Sequence, residues 1–310
     1  MLDCAASDLP SSSLQFCSQG APPENNRQRI NQQWRNQRRC NKLESPRAPG
    51  AKTIEETRPA ISEALGLLND NHSFYQPKSG SVIAHTRCTS VPASTAPISV
   101  PVVPSTIGYV RVTGFMGTAA EAAAFAHSIQ ETIKVYDGQG VTGWLVNLRQ
   151  NVGGNMWPMI TGLSPILGDG PLGYFIVPQG AKMAWGLRDG VAYLDEQAKD
   201  QNKATFRLQN EAPRVAVLTD ALTASSGEAV AIAFRGRADT RSFGTPTCGL
   251  STANHTYPLS DGGFLYLTTS VMADREGTPY GGPVVPDEVV EDSAKVAERA
   301  IAWLQAGAGE

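Results

Sequence analysis

Ser225 lies at a short polar corner between two apolar runs of the sequence. Residues 215–218 before it are rich in β-branched side chains, which is typical of a buried strand, and residues 228–234 after it are small, which is typical of a closely packed helix. A serine at such a corner can hold its hydroxyl clear of the sheet, while the helix N-terminus directs free N–H groups towards negative charge. An acyl-transfer nucleophile requires this geometry. Serine is also a good N-cap, so the corner alone leaves both roles open.

A histidine follows the first predicted helix. Thr53 and Glu56 form a capping-box pattern, and apolar residues on one face predict a helix over residues 54–68. The chain then enters a polar loop in which His72 lies between Asp70 and Ser73, two side chains that can fix its orientation. A histidine in such a loop is a candidate general base, and a loop histidine without a catalytic role fits the same local pattern.

A pair of glycines, Gly153 and Gly154, lies in a loop between a predicted strand at 144–148 and a predicted helix at 156–163. Glycines let backbone N–H groups approach a ligand oxygen, so this loop could bind a phosphate or an oxyanion. No Gly-Lys-Ser/Thr sequence follows, which excludes a P-loop, and the absence of GxGxxG excludes a dinucleotide fingerprint. A tight turn with no ligand remains the alternative.

The composition excludes several classes of protein. With 310 residues, 41% hydrophobic content and a net charge of −3, the chain can form a globular core, and we expect no nucleic-acid partner and no membrane partner. The five cysteines are widely spread without a CxxC pair, so we expect no disulfide framework, no metal site and no cofactor. No signal peptide and no apolar run of ~18 residues is present, which leaves a cytoplasmic location as the default expectation.

The order of elements predicts three regions. Residues 1–50 are polar with no strand or helix period, which predicts a disordered tail. Its basic run fits a solvated tail better than an RNA-binding arm, because no nucleic-acid motif accompanies it. Residues 51–104 hold the first helix, the His72 loop and an extended connector. Residues 105–310 alternate β and α elements, which predicts a layered α/β domain that carries the chemistry.

Four segments together resemble the tail-specific, or C-terminal-processing, serine peptidases, in the branch that includes the tricorn core and the interphotoreceptor retinoid-binding proteins. The segments are LNDNHSF at 68–74, LRQNVGGN at 148–155, TASSGE at 223–228 and YGGPVVPD at 280–287, and their order covers roughly residues 54 to 305. The resemblance implies a crotonase-like (ClpP-like) layered core with a small N-terminal helical segment. It implies peptide-bond hydrolysis with Ser225 as the nucleophile. It also implies an oxyanion hole from the Ser226 amide and a glycine amide at Gly153 or Gly154.

Two departures from the best-known branch shape the expected mechanism. That branch uses a Ser-Lys dyad, with the lysine some two dozen residues after the serine, but no lysine occurs here between Lys203 and Lys295. A Ser-His enzyme with His72 as the base is therefore expected, and Glu276 and Asp274 are the candidates for the acid that orients it. The interval after His72 is also too short for the PDZ domain found in many relatives.

Two other functions remain open from the sequence. The same fold could serve as a binding module for an apolar ligand, because Met156, Trp157 and Met159 follow the glycine pair. An esterase could use Ser225 with Asp239 and His255, although Thr223 stands where its nucleophile elbow requires glycine. The leading prediction is a serine peptidase acting on a peptide or protein substrate, with no prediction of its oligomeric state.

Overall fold

The computed structural model describes residues 50–84, 88, 98, 100–199 and 206–306, so the predicted tail lies outside the described residues apart from Gly50. The helices are α1 (Ile54–Leu68), α2 (Ala119–Gly138), α3 (Met156–Gly162), α4 (Ser164–Leu167), α5 (Ser226–Ala233) and α6 (Val296–Ala306). The strands are β1 (Phe74–Gln76), β2 (Ile83–Ala84), β3 (Ile107–Arg111), β4 (Gly143–Asn147), β5 (Gly170–Ile176), β6 (Lys182–Arg188), β7 (Val191–Leu194), β8 (Gln197–Ala198), β9 (Arg214–Thr219), β10 (Thr240–Gly244), β11 (Thr252–Pro258), β12 (Phe264–Asp274) and β13 (Glu288–Val289).

Contacts within the chain define two units. Among the described residues, the first comprises 50–84, 177–181 and 255–267, and the second comprises 88, 98, 100–176, 182–199, 206–254 and 268–306. In the first unit, α1 has the bounds that the sequence predicts. Its capping box is present: the Glu56 amide donates to Thr53 Oγ1, and the Thr53 amide donates to the Glu56 carboxylate, both at 3.3 Å. The helix ends at Asn69, which adopts the left-handed conformation.

A small antiparallel sheet completes the first unit. β1 pairs with β2 and with the first residues of β12. The rings of Phe74 and Tyr266 stack with centroids 4.3 Å apart, and the Tyr75 hydroxyl donates to the Asp261 carboxylate. These contacts fix β1 immediately after the loop that carries His72.

A parallel five-stranded sheet forms the centre of the second unit, in the order β13, β10, β9, β4, β3. The side chains of β9 alternate between its two faces: Val215 and Val217 join one core cluster, and Ala216 and Leu218 join the other. Helix α6 covers the second face, while α2, α3 and α5 supply residues to the first. The predicted α/β class is confirmed.

Residues 170–198 form a series of antiparallel hairpins. β5, β6, β7 and β8 form successive antiparallel pairs, and the last residues of β12 pair with β5. Trp185 on β6 is fully buried in the same cluster as α3 and α5. The hairpins therefore pack against α3 and α5.

Helix α2 is the longest of the described helices, with 20 residues. Thr118 and Glu121 form a capping box at its start, and Ile129 and Ile133 are buried on one face. His127 is exposed on this helix. Among the helices that the structure describes, none has both the length and the apolar character to cross a bilayer.

Cys88 and Cys248 form a disulfide, with Cα atoms 5.3 Å apart. The spacing of the cysteines predicts no disulfide framework, and it gives no signal for this single bond. They are separated by 160 positions in the sequence, and their approach depends on the tertiary fold and not on a local spacing. The bond fastens the loop after β10 to the segment that precedes β3.

The parallel arrangement brings two loops to one edge of the sheet. β4 and β9 are neighbouring parallel strands, so the loops at their carboxyl ends leave the sheet on the same side. The Leu148 amide donates to the Leu218 carbonyl oxygen at 2.9 Å, which continues the pairing to the last residues of both strands. The glycine loop and the serine corner therefore begin side by side.

Candidate active site

Ser225 occupies a strained backbone conformation at the corner between β9 and α5. Its φ is 52° and its ψ is −114°. A non-glycine residue rarely adopts this conformation, which costs about 1–3 kcal/mol and persists only where the surroundings enforce it. The side chain is half-buried at the N-terminus of the helix. The chain therefore turns sharply from strand to helix at this residue.

Glu228, in the first turn of α5, binds the backbone of this corner. The Ser225 amide donates to Glu228 Oε2 at 2.8 Å. The Glu228 side chain is fully buried, and burial raises its pKa to about 7, against the lowering effect of the hydrogen bonds from Thr247 and from backbone amides. The carboxylate thus binds the backbone of the candidate nucleophile and is itself shielded from solvent.

The glycine loop packs directly against the serine corner. A Cβ on Gly153 would lie 2.9 Å from the Ser225 Cβ and 3.1 Å from the Ser226 amide nitrogen, so only glycine allows this approach. A Cβ on Gly154 would overlap the Phe115 carbonyl oxygen. Both glycines also have positive φ, 98° and 109°.

The backbone amides of Gly153 and Gly154 differ in their hydrogen bonding. The Gly153 amide donates to Asn151 Oδ1 at 3.0 Å. The Gly154 carbonyl oxygen accepts from the Ser226 hydroxyl at 2.5 Å, and no acceptor for the Gly154 amide occurs among the residues that the structure describes. The Ser226 amide belongs to the first helical residue, which has no intrahelical acceptor. These two amides, of Gly154 and Ser226, are the ones able to donate to a ligand oxygen.

Asn151 and Asp220 hold the two loops together. The Asn151 carbonyl oxygen accepts from the Ala224 amide at 2.9 Å, and a Cβ on Gly227 would lie 2.5 Å from that same oxygen. The Asp220 carboxylate accepts from the Gln150 amide at 3.0 Å. The candidate nucleophile and the glycine loop therefore form one hydrogen-bonded assembly.

His72 lies in the first unit, in the loop between α1 and β1. Asp70 Oδ1 accepts from the His72 amide at 2.9 Å and from the Ser73 amide at 2.6 Å, and Asp70 Oδ2 accepts from the Ser73 hydroxyl at 2.8 Å. These bonds fix the backbone on both sides of the histidine. The His72 side chain is half-buried.

The two acid candidates, Glu276 and Asp274, lie in the turn that follows β12. The turn that holds them docks at the C-terminal end of α5, where the Arg275 guanidinium donates to the Ala233 carbonyl oxygen at 2.7 Å and Glu276 lies against Gly236. The eight-residue length of α5 puts this end about 12 Å from Ser225.

Asp274 has a structural partner set of its own. Its Oδ1 accepts from the Glu276 and Thr278 amides at 3.1 and 2.9 Å, and its Oδ2 accepts from the Tyr280 hydroxyl at 3.0 Å. The carboxylate closes the turn after β12. These bonds give Asp274 a structural role in the turn that also carries Glu276.

The esterase arrangement is not assembled. The Asp239 carbonyl oxygen accepts from the Val215 amide at the amino end of β9, whereas Ser225 follows the carboxyl end. The six residues of β9 separate them by about 20 Å. His255 is exposed on β11, with its ring next to Tyr257.

The residues suggested for an apolar ligand pocket are part of the core. Met156 and Met159 are buried in the main cluster, and Trp157 is half-buried against it. They therefore stabilise α3 against the sheet. In the described part of the chain, no group of three or more histidine, cysteine, aspartate or glutamate side chains is arranged to hold a metal ion.

The profile of peptidase family S41 matches residues 106–290, which is more than half of the chain. The chain belongs to peptidase family S41. The recognition of a tail-specific, C-terminal-processing type of serine peptidase is confirmed. Family membership places the protein among the serine-type peptidases, and the matched segment includes the glycine loop and the Ser225 corner.

Three similar proteins illustrate the family. A nisin-resistance protein from Lactococcus lactis subsp. lactis is 29% identical over 256 residues, which cover 82% of this chain and 76% of that protein. A lipoprotein from Streptococcus agalactiae has the same fold with a TM-score of 0.67 and 23% identity, over 93% of this chain and 99% of that chain. The photosystem II D1 C-terminal processing protease superposes with a TM-score of 0.52 and 18% identity, over 84% and 88% of the two chains.

Sequence reasoning about this S41 peptidase missed the supporting roles of Glu228, Asn151 and Asp220. For Glu228 a signal was present, because a serine followed three residues later by glutamate is a capping-box pattern of the kind that predicts the start of α1. For Asn151 and Asp220 no local signal exists. Their partners lie on the other loop, about 70 residues away in the sequence.

Proposed function

We propose that this S41 peptidase hydrolyses peptide bonds with Ser225 as its nucleophile. The observation that carries the proposal is the strained backbone of Ser225 at the strand-to-helix corner, with φ of 52° and ψ of −114°. Strain of this kind is retained where a fold needs a side chain in one orientation. The adjoining amides of Ser226 and of the glycine loop would stabilise the negative charge that forms when the hydroxyl attacks a carbonyl carbon.

Between the two glycines, the hydrogen bonds favour Gly154 as the second oxyanion donor. The Gly153 amide already donates to Asn151, and it would have to lose that bond to serve a substrate. Gly153 then acts through its lack of a side chain, which lets the loop approach Ser225. The proposed oxyanion hole is therefore the pair of amides from Ser226 and Gly154.

His72 is the proposed general base, in a Ser-His mechanism. No lysine lies between Lys203 and Lys295, so the sequence offers none at the position of a Ser-Lys dyad. His72 takes the hydroxyl proton as Ser225 Oγ bonds to the carbonyl carbon, and it then gives that proton to the leaving amine as the peptide C–N bond breaks. Water, activated by the same imidazole, hydrolyses the acyl-enzyme and releases the carboxylate product.

The proposed substrate is a peptide, and nisin is the first candidate. Nisin is itself a peptide, and the relative from Lactococcus lactis is a nisin-resistance protein. No nucleic-acid or membrane partner and no cofactor is part of this proposal. We also propose that the α/β layers of the second unit are arranged as in crotonase-like proteins, since the fold is shared with the D1 processing protease.

Active-site labelling tests this function directly. A fluorophosphonate phosphorylates an activated serine, so the wild-type protein should be labelled at Ser225 and the Ser225→Ala variant should not. Mass spectrometry of wild-type digests of nisin should show new termini that the Ser225→Ala protein does not produce. Equal labelling of both proteins, or cleavage that persists without Ser225, would contradict the proposal.

A further inference from the structure

Glu228 differs from the two other capping glutamates of the chain. Glu56 and Glu121 each accept from the N-cap amide of their helix, and both are exposed. Glu228 accepts from the Ser225 amide at 2.8 Å in the same geometry, but it is fully buried. A capping role alone does not require burial of a carboxylate, which is costly unless its oxygens are satisfied.

Three further donors reach Glu228 from one loop after β10. Oε1 accepts from the Thr247 hydroxyl at 2.6 Å and from the Gly249 amide at 2.9 Å, and Oε2 accepts from the Leu250 amide at 2.8 Å. With the Ser225 amide, the carboxylate therefore has four donors, two on each oxygen. This is the full acceptor capacity of an ionised carboxylate with bonds in its plane.

The loop that supplies these donors is itself held from several sides. The Thr247 hydroxyl accepts from the Val284 amide at 2.8 Å, and the Cys248 amide donates to the Thr223 carbonyl oxygen at 2.9 Å. The disulfide to Cys88 fixes the same loop covalently. Glu228 thus connects the Ser225 backbone to the loop after β10. None of these hydrogen bonds involves the Ser225 hydroxyl.

We propose that Glu228 is a positioning residue that holds Ser225 in its reactive backbone conformation by binding the Ser225 amide to the loop of Thr247, Gly249 and Leu250. The inference rests on the proposed function of Ser225. A strained φ and ψ relax unless the surroundings enforce them. The hydrogen bond from the Ser225 amide acts on the backbone that would have to rotate, so its loss lets the corner relax and turns the hydroxyl away from the substrate carbonyl.

The deciding experiment measures fluorophosphonate inactivation of the full-length protein, with the rate of the covalent step (kinact) and the binding constant (KI) determined separately. In Glu228→Gln, an NH₂ group replaces one acceptor and faces two donors, so the corner loses its support. We expect kinact to fall by about 10- to 100-fold, as for loss of a hydrogen bond to a charged group. KI should stay within about threefold, because the probe itself does not contact Glu228.

Matched variants separate positioning from general destabilisation. Glu121→Gln removes the same kind of helix cap from α2, away from the serine corner, and should leave kinact unchanged. Thr247→Val removes one donor to Glu228 and should lower kinact by about tenfold. Thr247→Ser restores the hydroxyl and should restore kinact, a rescue that a mere change in packing volume at this site would not give.

The outcomes distinguish this inference from the function on which it rests. Labelling of Ser225→Ala at the wild-type rate would overturn the proposed nucleophile. Labelling that depends on Ser225 but proceeds with unchanged kinact in Glu228→Gln would overturn the role of Glu228 alone. If Glu228→Gln does not fold, the Thr247 pair decides: equal kinact in Thr247→Val and Thr247→Ser would overturn the positioning role, and a lower value only in Thr247→Val supports it.

Discussion

The Ser226 hydroxyl donates a 2.5 Å hydrogen bond to the carbonyl oxygen of Gly154. These are the two residues whose amides are proposed to bind the oxyanion. Ser226 is buried, so water does not compete well for this bond. The Ser226 side chain therefore fixes the carbonyl group of Gly154. The distance between the amides of these two residues is thus set before substrate binds.

Ser226→Ala should lower turnover by about tenfold, because one buried hydrogen bond of ordinary strength is lost and the Gly154 peptide gains freedom. Ser225→Ala should lower it by ~10⁴ to 10⁶, as expected for a nucleophile. Hydrolysis of one peptide at saturating concentration gives both values. A Ser226→Ala protein as inactive as Ser225→Ala would identify Ser226 as the nucleophile.

The serine corner and the glycine loop could be predicted because their signals are local. Strand periodicity before Ser225, small residues after it and the glycine pair at Gly153 are all visible within about ten residues. The capping boxes at Thr53 and Thr118 fixed the starts of α1 and α2 in the same way. Such patterns report on the backbone of the segment that contains them.

The remaining features depend on contacts between distant segments. The hydrogen bond from the Gly153 amide to Asn151 depends on the rotamer of the Asn151 side chain. The position of Glu276 depends on where the turn after β12 docks on α5. The Cys88–Cys248 pair closes a separation of 160 residues. None of these has a periodic or spacing signal, so sequence reasoning could not predict the Asn151 contact, the docking of the turn or the disulfide.

Removal of the disulfide should destabilise the second unit. Cys88→Ser with Cys248→Ser should lower the free energy of unfolding by about 2–5 kcal/mol, because a long crosslink restricts the unfolded chain. Urea unfolding of both proteins, with and without reductant, measures this. Reductant should affect only the wild type, and equal midpoints in all four samples would show that the bond does not stabilise the fold. Structural disulfides persist in oxidising compartments. The Cys88–Cys248 bond therefore does not support the cytoplasmic location expected from the sequence.

The stability of the protein should depend on the ionisation of Glu228. Burial raises its pKa from 4.5 to about 7, so the folded protein holds this proton more tightly than the unfolded chain. The contribution of Glu228 is thus fully present below pH 4.5 and is lost as the pH rises to about 7. Relative to Glu228→Gln, the wild type should lose about 3 kcal/mol of unfolding free energy across this interval.

Chemical unfolding at pH 4.5, 6, 7 and 8 checks this prediction, with Glu121→Gln as the matched comparison. Hydrogen bonds from Thr118 lower the pKa of Glu121, so its stabilising contribution has the opposite sign: it is present above the ordinary glutamate pKa and lost as the pH falls. A difference between wild type and Glu228→Gln that stays constant from pH 4.5 to 8 would contradict the raised pKa.

His72→Ala should abolish hydrolysis to nearly the same extent as Ser225→Ala, whereas His255→Ala should keep wild-type activity. His72 lies in a loop that Asp70 holds through two backbone amides, while His255 is exposed in a strand. A nucleophile and its general base act as one unit, so removing either one lowers turnover by a similar factor. Turnover of the three variants on one substrate gives the comparison, and the reverse order for the two histidines would remove His72 from the mechanism.

The pH profile of the wild type provides the second half of this test. Only neutral imidazole accepts the Ser225 proton, and free histidine titrates near ~6.5, so kcat/KM should rise with pH through that region. Glu228 ionises at about pH 7 and would add its own step, which Glu228→Gln removes. The rise should therefore persist in Glu228→Gln, at lower absolute activity, if a histidine is the base. A flat profile in that variant between pH 5 and 8 would assign the whole pH dependence to Glu228 and leave Ser225 without a histidine base.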